Sequence, residues 1–157
     1  MHTYKISIIG GPQSGKTTFI KKLRVGEFEH RYIPTMGVDV HPINFQNDEG
    51  MYCLNTWDTS GNPTFRGLGN GYYRRSDGAI AFYTSNTIDI TNQLINDYTQ
   101  ICPNTPIINI WNKCDLASEC NLHPNTLQQG NRTTYLISCL GDSNLQQPLF
   151  DLIQMIV

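Results

Sequence analysis

The chain has 157 residues and a formal net charge of −2, and 39% of its residues are hydrophobic. This length predicts a single domain spanning residues 1–157, with enough apolar sequence for a sizeable core. The near-neutral charge argues against nucleic acid or an anionic membrane as a partner. The five cysteines form no C-x-x-C pair and the histidines do not cluster with them. We therefore expect thiols in a reducing compartment rather than disulfides or a cysteine-based zinc site.

Segments rich in β-branched and aromatic residues alternate with helical patterns along the chain. The predicted strands are Tyr4–Ile9, Val38–Phe45, Met51–Trp57, Ala79–Tyr83, Ile107–Trp111 and Thr134–Ser138. The turn cluster Asn47-Asp48-Glu49-Gly50 joins the second and third strands into a hairpin. Helices are predicted at Lys16–Arg24, Asp89–Ile101 and Leu145–Val157, with a shorter helix or turn at Pro124–Gln129. This order predicts an α/β fold, in which a six-stranded, mostly parallel sheet has one antiparallel edge strand and helices on both faces.

A phosphate-binding motif lies between the first strand and the first helix. Residues 10–17 fit the pattern G-x-x-x-x-G-K-S/T, in which backbone N–H groups and a helix N-terminus surround a phosphate. Lys16 can reach the β- and γ-phosphates, and the Thr17 hydroxyl can bind Mg²⁺. A strand–turn–helix with incidental glycines is the alternative. The residues expected to contact nucleotide here are Gly11, Pro12, Gln13, Ser14, Gly15, Lys16, Thr17 and Thr18.

A base-selecting motif follows the fifth strand as Asn112-Lys113-Cys114-Asp115. A carboxylate at Asp115 accepts hydrogen bonds from N1–H and N2–H of guanine. Adenine lacks both donors and would leave the carboxylate unpaired, at a cost of about 1–3 kcal/mol. Asn112 can brace the loop and reach N7, and the stem of Lys113 can cover the ring. The pattern N-K-x-D also suits a surface turn, but its place after a phosphate loop favours guanine.

Further residues complete the predicted nucleotide site. Phe28 can pack edge-on against the base, with a core aromatic as the alternative, and the segment Ser138-Cys139-Leu140 can offer a backbone N–H to the guanine O6. Thr35 can bind Mg²⁺ when a γ-phosphate is present. Asp58 can hold a metal-bound water, and the N–H of Gly61 can reach the γ-phosphate. Loss of that phosphate would release both segments, which is the behaviour of a switch.

In order and spacing, these motifs resemble those of the Ras superfamily of small GTPases. The segments 26–42 and 65–73 resemble the Ran GTPases of nuclear transport, and the likeness weakens after Asp115. The resemblance implies a P-loop NTPase G domain that binds Mg²⁺ and GTP or GDP. It also implies transport receptors or regulators as partners at the switch segments, and a location in cytoplasm and nucleus. Glu29 and Tyr32 match nucleotide-contacting positions of this group, and Lys16, Tyr32 and Asn62 match its catalytic positions.

Two departures from the family pattern bear on hydrolysis. Asn62 stands where the family has a water-orienting glutamine, and its side chain is shorter by one methylene, about 1.5 Å. Pro12 lacks an N–H and places a ring near the γ-phosphate. Leu140 also replaces a lysine that packs on the base, and the segment ending at Val157 lacks the acidic tail of Ran. We therefore predict slow GTP hydrolysis.

Three functions remain open at this point. The first is a slowly cycling Ran-like GTPase, and the second is a GTP-binding interaction protein that barely hydrolyses and mimics the GTP form. The third is a trafficking GTPase of the Rab kind, against which the missing prenylation cysteines and the segment 38–42 argue. A nucleotide kinase or ATPase is disfavoured by the guanine motif. We expect a monomer without a lipid anchor.

Overall fold

The computed structural model describes residues 1–11, 14–23, 38–59, 69–112, 132–137 and 145–157. Within these ranges the strands and helices follow one another in the order that the sequence predicts, and the second and third strands form a hairpin. The strands are β1 (His2–Gly10), β2 (Val38–Asn47), β3 (Gly50–Thr59), β4 (Gly78–Tyr83), β5 (Ile107–Trp111) and β6 (Thr134–Leu136). The helices are α1 (Lys16–Leu23), α2 (Ile88–Ile101) and α3 (Gln147–Ile156), and a 3₁₀ helix that the sequence did not predict spans Gly69–Tyr73.

The strands form one six-stranded sheet in the order β2-β3-β1-β4-β5-β6. Strands β3, β1, β4, β5 and β6 run parallel, and β2 pairs antiparallel with β3 at the edge. The predicted fold class is therefore confirmed. Because the inner strands are parallel, their carboxyl ends meet at the same edge of the sheet, where ligands of such folds bind.

A tight turn closes the hairpin between β2 and β3. Asn47 pairs with Gly50 across the turn. The Asn47 side-chain oxygen accepts the N–H groups of Glu49 and Gly50, at 2.9 and 3.1 Å. Gly50 has φ of +149°, a value that L side chains rarely adopt. The turn cluster read from the sequence thus fixes the register of the hairpin through its own side chain.

The sheet buries a different cluster on each face because side chains alternate along every strand. One cluster is rich in isoleucine, includes Ile6, Ile8 and Ile80, and packs against α1 and α3. The other cluster contains Ile9, Tyr83 and Trp111 and packs against α2. Helices therefore cover both faces, as the sequence predicts.

The helix boundaries differ from the sequence prediction by a few residues. Helix α2 begins at Ile88 and buries Thr91, Leu94, Ile95 and Tyr98. Helix α3 begins at Gln147 rather than Leu145, and Pro148 occupies its first turn, where a missing N–H costs nothing. The predicted helix or turn at Pro124–Gln129 lies outside the described residues. No helix in the described ranges is long and apolar enough to cross a membrane.

Candidate functional site

The phosphate loop connects β1 to α1 at the carboxyl edge of the sheet. In its described part the N–H of Ser14 donates to the Gly11 carbonyl at 3.3 Å, and Gly15 adopts a positive φ of +91°. The N–H of Phe19 then donates to Gly15 O at 2.9 Å, which opens the helix. The loop therefore delivers the N-terminus of α1, with its partial positive charge, to the mouth of the site.

Helix α2 braces this loop from the opposite face of the sheet. The N–H of Gly11 donates to the Thr91 hydroxyl at 3.2 Å, and that hydroxyl donates to the Phe82 carbonyl at 3.0 Å. Thr91 is fully buried. A single side chain thus links α2, β4 and the phosphate loop. The sequence pattern does not predict this role for Thr91, because a lone polar residue on the buried face of an amphipathic helix gives no sign of its partners.

Lys16 lies at the first turn of α1 with its side chain folded against the loop. Its Nζ donates to the carbonyls of Gly10 and Gly11, at 2.7 and 3.1 Å. The side chain is only 6% exposed. Burial lowers the pKa of Lys16 to about 8, an effect that the nearby Asp58 carboxylate partly offsets. The ammonium is thus held inside the loop, where an anionic phosphate would compensate its lost hydration.

Thr17 and Asp58, which the sequence predicts as metal-site residues, are in direct contact. The Thr17 hydroxyl donates to Asp58 Oδ2 at 2.7 Å, and so joins the start of α1 to the end of β3. Asp58 is 6% exposed, and burial raises its pKa, while the hydrogen bond from Thr17 and the charge of Lys16 act in the opposite direction. Thr18 is exposed on the first turn of α1.

Asn112, the first residue of the guanine motif, is tied to the phosphate loop. Its Nδ2 donates to the Ser14 carbonyl at 3.0 Å, and its backbone N–H donates to Tyr83 O at 2.9 Å. The side chain is 1% exposed. This bond joins residues 98 positions apart, and it ties the first residue of the guanine motif directly to the described part of the phosphate loop.

The donors and acceptors at this edge fit a magnesium–nucleotide complex. The hydroxyl of Ser14 is buried and has no hydrogen-bond partner among the described residues. It lies close to Gly10, whose carbonyl accepts the Lys16 ammonium at 2.7 Å. A hydroxyl and a carboxylate, from Thr17 and Asp58, are hard oxygen ligands of the kind that Mg²⁺ prefers. The residues present are therefore compatible with a phosphate group and its magnesium ion.

The structure brings together one part of the predicted site. Gly11, Ser14, Gly15, Lys16, Thr17, Asp58 and Asn112 converge at the carboxyl edge of the sheet, with Thr18 on the adjoining surface. The remaining predicted site residues lie outside the described ranges. They are Pro12, Gln13, Phe28, Glu29, Tyr32, Thr35, Gly61, Asn62, Lys113, Asp115, Ser138, Cys139 and Leu140, and their roles stay predictions.

The fold and this edge define a nucleotide-binding domain of the P-loop class, with a phosphate loop on β1 and a guanine-type motif on β5. Comparison with protein families narrows that class. The model of the family described as "Ras of Complex, Roc, domain of DAPkinase" matches residues 5–115, which is more than half of the chain. The chain therefore belongs to the Roc family of Ras-like GTPase domains, and it is a guanine-nucleotide switch domain of the small GTPase type.

Proposed function

We propose that this protein is a switch that binds Mg²⁺ with GTP or GDP and hydrolyses GTP slowly. The observation that carries the proposal is the junction of Lys16, Thr17, Asp58 and Asn112 at one edge of the sheet. It combines a buried cation, a hydroxyl and a carboxylate that can serve a magnesium ion and its water, and the first residue of a guanine motif. The slow rate is inferred from Asn62 and Pro12.

Each residue of the junction has a distinct task in this proposal. The Lys16 ammonium attracts the β- and γ-phosphate oxygens, since an ammonium has one N–H donor beyond the two used on Gly10 and Gly11. Thr17 and Thr35 would bind Mg²⁺ directly, and Asp58 would hold one of its waters. When bound, the ion neutralises charge on the phosphate oxygens. Asn112, Lys113 and Asp115 select guanine, and Phe28 with the segment 138–140 completes the contacts to the base.

The proposed defect lies in how the attacking water is oriented. In related switch domains a glutamine amide must contact both the water and the γ-phosphate. Asn62 reaches about 1.5 Å less far, and a misplacement of about 1 Å can cost on the order of 10²-fold in rate. The ring of Pro12 further restricts the space beside the γ-phosphate. Binding is therefore expected to remain intact while the chemical step is slow.

The test is single-turnover GTP hydrolysis by the wild-type protein and by Asn62→Gln. The longer amide should raise the rate by up to about 10²-fold. Asn96→Gln makes the same change on the exposed side of α2 and should leave the rate unchanged. An unchanged rate in Asn62→Gln would contradict the proposed role of residue 62. The nucleotide retained after purification gives a second readout, because slow hydrolysis predicts retained GTP.

A second candidate function is a GTP-binding interaction protein that barely hydrolyses. The same residues, Asn62 and Pro12, favour it. Phosphate release measured with and without a Ran-type activating protein separates the two candidates. A rate that the activating protein increases supports a cycling switch. A rate that stays near zero in both conditions supports a constitutive GTP-form mimic.

The cellular role we propose is nucleocytoplasmic transport, with receptors or regulators bound at the switch segments. Its support is the resemblance of residues 26–42 and 65–73 to Ran, together with the position of Asp39–Pro42 on the edge strand β2. The corresponding location is cytoplasm and nucleus. Capture of a purified transport receptor by the GTP-loaded but not the GDP-loaded protein would support this role. Capture of a vesicle-traffic effector instead would favour a Rab-like role.

A further inference from the structure

A cluster of metal-ligating side chains lies on the hairpin beside the phosphate loop. Asp39 and His41 are two positions apart on β2, so their side chains share one face of the sheet. Asp58 pairs with Asp39 across the ladder to β3 and points to that same face. The candidate ligand atoms of the three side chains all lie within 4.8 Å of one another. Only Asp58 of these three was expected at a metal site from the sequence.

The cluster is mostly buried, and its backbone is held by the sheet. His41 and Asp58 are 5% and 6% exposed, and Asp39 is half-buried. The Thr56 hydroxyl donates to the His41 carbonyl at 2.6 Å, which fixes the strand at this position. Two carboxylates facing each other with little water available repel one another, and a cation between them would relieve that repulsion. Strand-borne ligands are also more precisely positioned than ligands on loops.

We infer that Asp39, His41 and Asp58 form a binding site for a divalent transition-metal ion of the Zn²⁺ type. An imidazole with carboxylates suits such ions better than Mg²⁺, which takes oxygen ligands. Tetrahedral bonds of about 2.0 Å place ligand atoms roughly 3.3 Å apart, so small side-chain rotations would close the cluster on the ion. Three protein ligands leave a fourth position for water, as in open zinc sites.

The site shares Asp58 with the proposed magnesium–nucleotide site. One oxygen of that carboxylate, Oδ2, accepts the hydroxyl of Thr17, which belongs to the proposed magnesium site. The transition-metal ion and the magnesium–nucleotide complex should therefore compete for Asp58. This competition depends on the proposed function, whereas binding of the ion itself requires only the three side chains.

The test is titration of the purified GDP-loaded protein with Zn²⁺ by calorimetry, and with Co²⁺ as a spectroscopic probe. We expect one ion per chain. Asp39→Asn and His41→Gln should each weaken binding by at least about tenfold, because a direct ligand matters no less than an outer-shell partner. Asp89→Asn and His2→Gln make the same changes at exposed positions and should not alter the affinity. Excess Mg²⁺ should weaken binding to the wild-type protein.

Either of two results would overturn the inference. One is an affinity that neither Asp39→Asn nor His41→Gln reduces. The other is a thiolate-to-cobalt charge-transfer band in the Co²⁺ spectrum, which would show that cysteines bind the ion instead of the three proposed side chains. Circular dichroism checks that each variant folds. If His41→Gln does not fold, the affinity of Asp39→Asn decides the outcome, because Asp39 is only half-buried. Binding of a fluorescent GDP analogue with Mg²⁺ alone is measured separately, so a failed nucleotide site is distinguishable from a failed ion site.

Discussion

Two asparagine–glycine pairs, one at the turn between β2 and β3 and one between the phosphate loop and the residue after β5, show how differently the same residue types can act. At the turn, Asn47 accepts the N–H of Gly50 at 3.1 Å, and nothing lies within 4 Å of a Cβ placed on that glycine. At the phosphate loop, Asn112 donates to Ser14 at 3.0 Å, and a Cβ on Gly15 would lie 1.8 Å from the Asn112 Nδ2. Both glycines have positive φ.

The difference lies in the distance along the chain between the partners. The turn pair, Asn47 and Gly50, is local and exposed to solvent on one side, and its hydrogen bond sets only the register of the hairpin. The loop pair, Gly15 and Asn112, connects segments nearly a hundred residues apart, and Asn112 is fully buried. A local contact can be replaced by water when it is lost, but a buried long-range contact cannot. The functional pair should therefore be far more sensitive to substitution.

The largest effect is expected from Gly15→Ala compared with Gly50→Ala. Both changes place a side chain on a positive-φ residue, which costs about 1–3 kcal/mol in unfolding free energy. Gly15→Ala also displaces the Asn112 amide and leaves buried polar groups unpaired, for about 1–3 kcal/mol more. Chemical denaturation of the two variants measures this difference. Equal losses of stability in the two variants would mean that the contact between Gly15 and Asn112 carries no energetic weight.

The second comparison replaces the asparagines. Asn112→Ala leaves the Ser14 carbonyl without this donor inside the protein, so we expect a loss of about 1–3 kcal/mol. Asn47→Ala removes two bonds at a solvent-accessible turn and should cost only about 0.5–1.5 kcal/mol. Nucleotide affinity should fall for Asn112→Ala and stay at the wild-type value for Asn47→Ala. Weakened nucleotide binding in Asn47→Ala would remove the distinction between the two pairs.

The smallest effect on the stability of the nucleotide-free protein is expected from Lys16→Met. The change removes a buried charge, which offsets the lost hydrogen bonds to Gly10 and Gly11, so stability should not fall. Nucleotide affinity should nevertheless drop by about 1.5–3 kcal/mol, because a charge-assisted contact to phosphate is gone. Equilibrium denaturation and fluorescent-nucleotide titration measure the two quantities. A clear loss of stability without a loss of affinity would assign Lys16 a structural role.

The pH dependence of the wild-type protein checks the same residue. Burial lowers the pKa of Lys16 from 10.5 to about 8, so between these values the unfolded chain binds more protons than the folded one. The contribution of this group to stability therefore rises with pH through that window. Nucleotide affinity should move in the opposite direction, because the neutral amine no longer attracts phosphate. Lys16→Met should show neither trend. If the variant has the same pH profile as the wild-type protein, Lys16 is not the group that causes the pH dependence.

Much of the fold could be read from the sequence because its elements depend on short-range patterns. Structure is specified within a few residues by the continuous apolar run Ala79–Tyr83, by the turn residues at 47–50 and by the glycines before Lys16. The predicted starts of α2 and α3 differ from the observed ones by one and two residues, because helix ends fray and neither helix has a side-chain cap hydrogen bond at its start. The alternation of strands and helices predicts a mostly parallel sheet with one antiparallel edge strand, whereas the order of the strands within the sheet comes from the structure alone.

The sequence by itself determined the chemistry of the site, since the types and order of Lys16, Thr17, Asp58 and Asn112 indicate a phosphate, a metal ion and a guanine base. The tertiary structure alone decided which of these side chains touch. It joined Asn112 to Ser14, placed Thr91 under the phosphate loop, and set Asp39 and His41 beside Asp58. The physical reason is that hydrogen bonds and ion sites act over a few ångströms in space. Residues so far apart along the chain reach that distance only after the sheet has assembled.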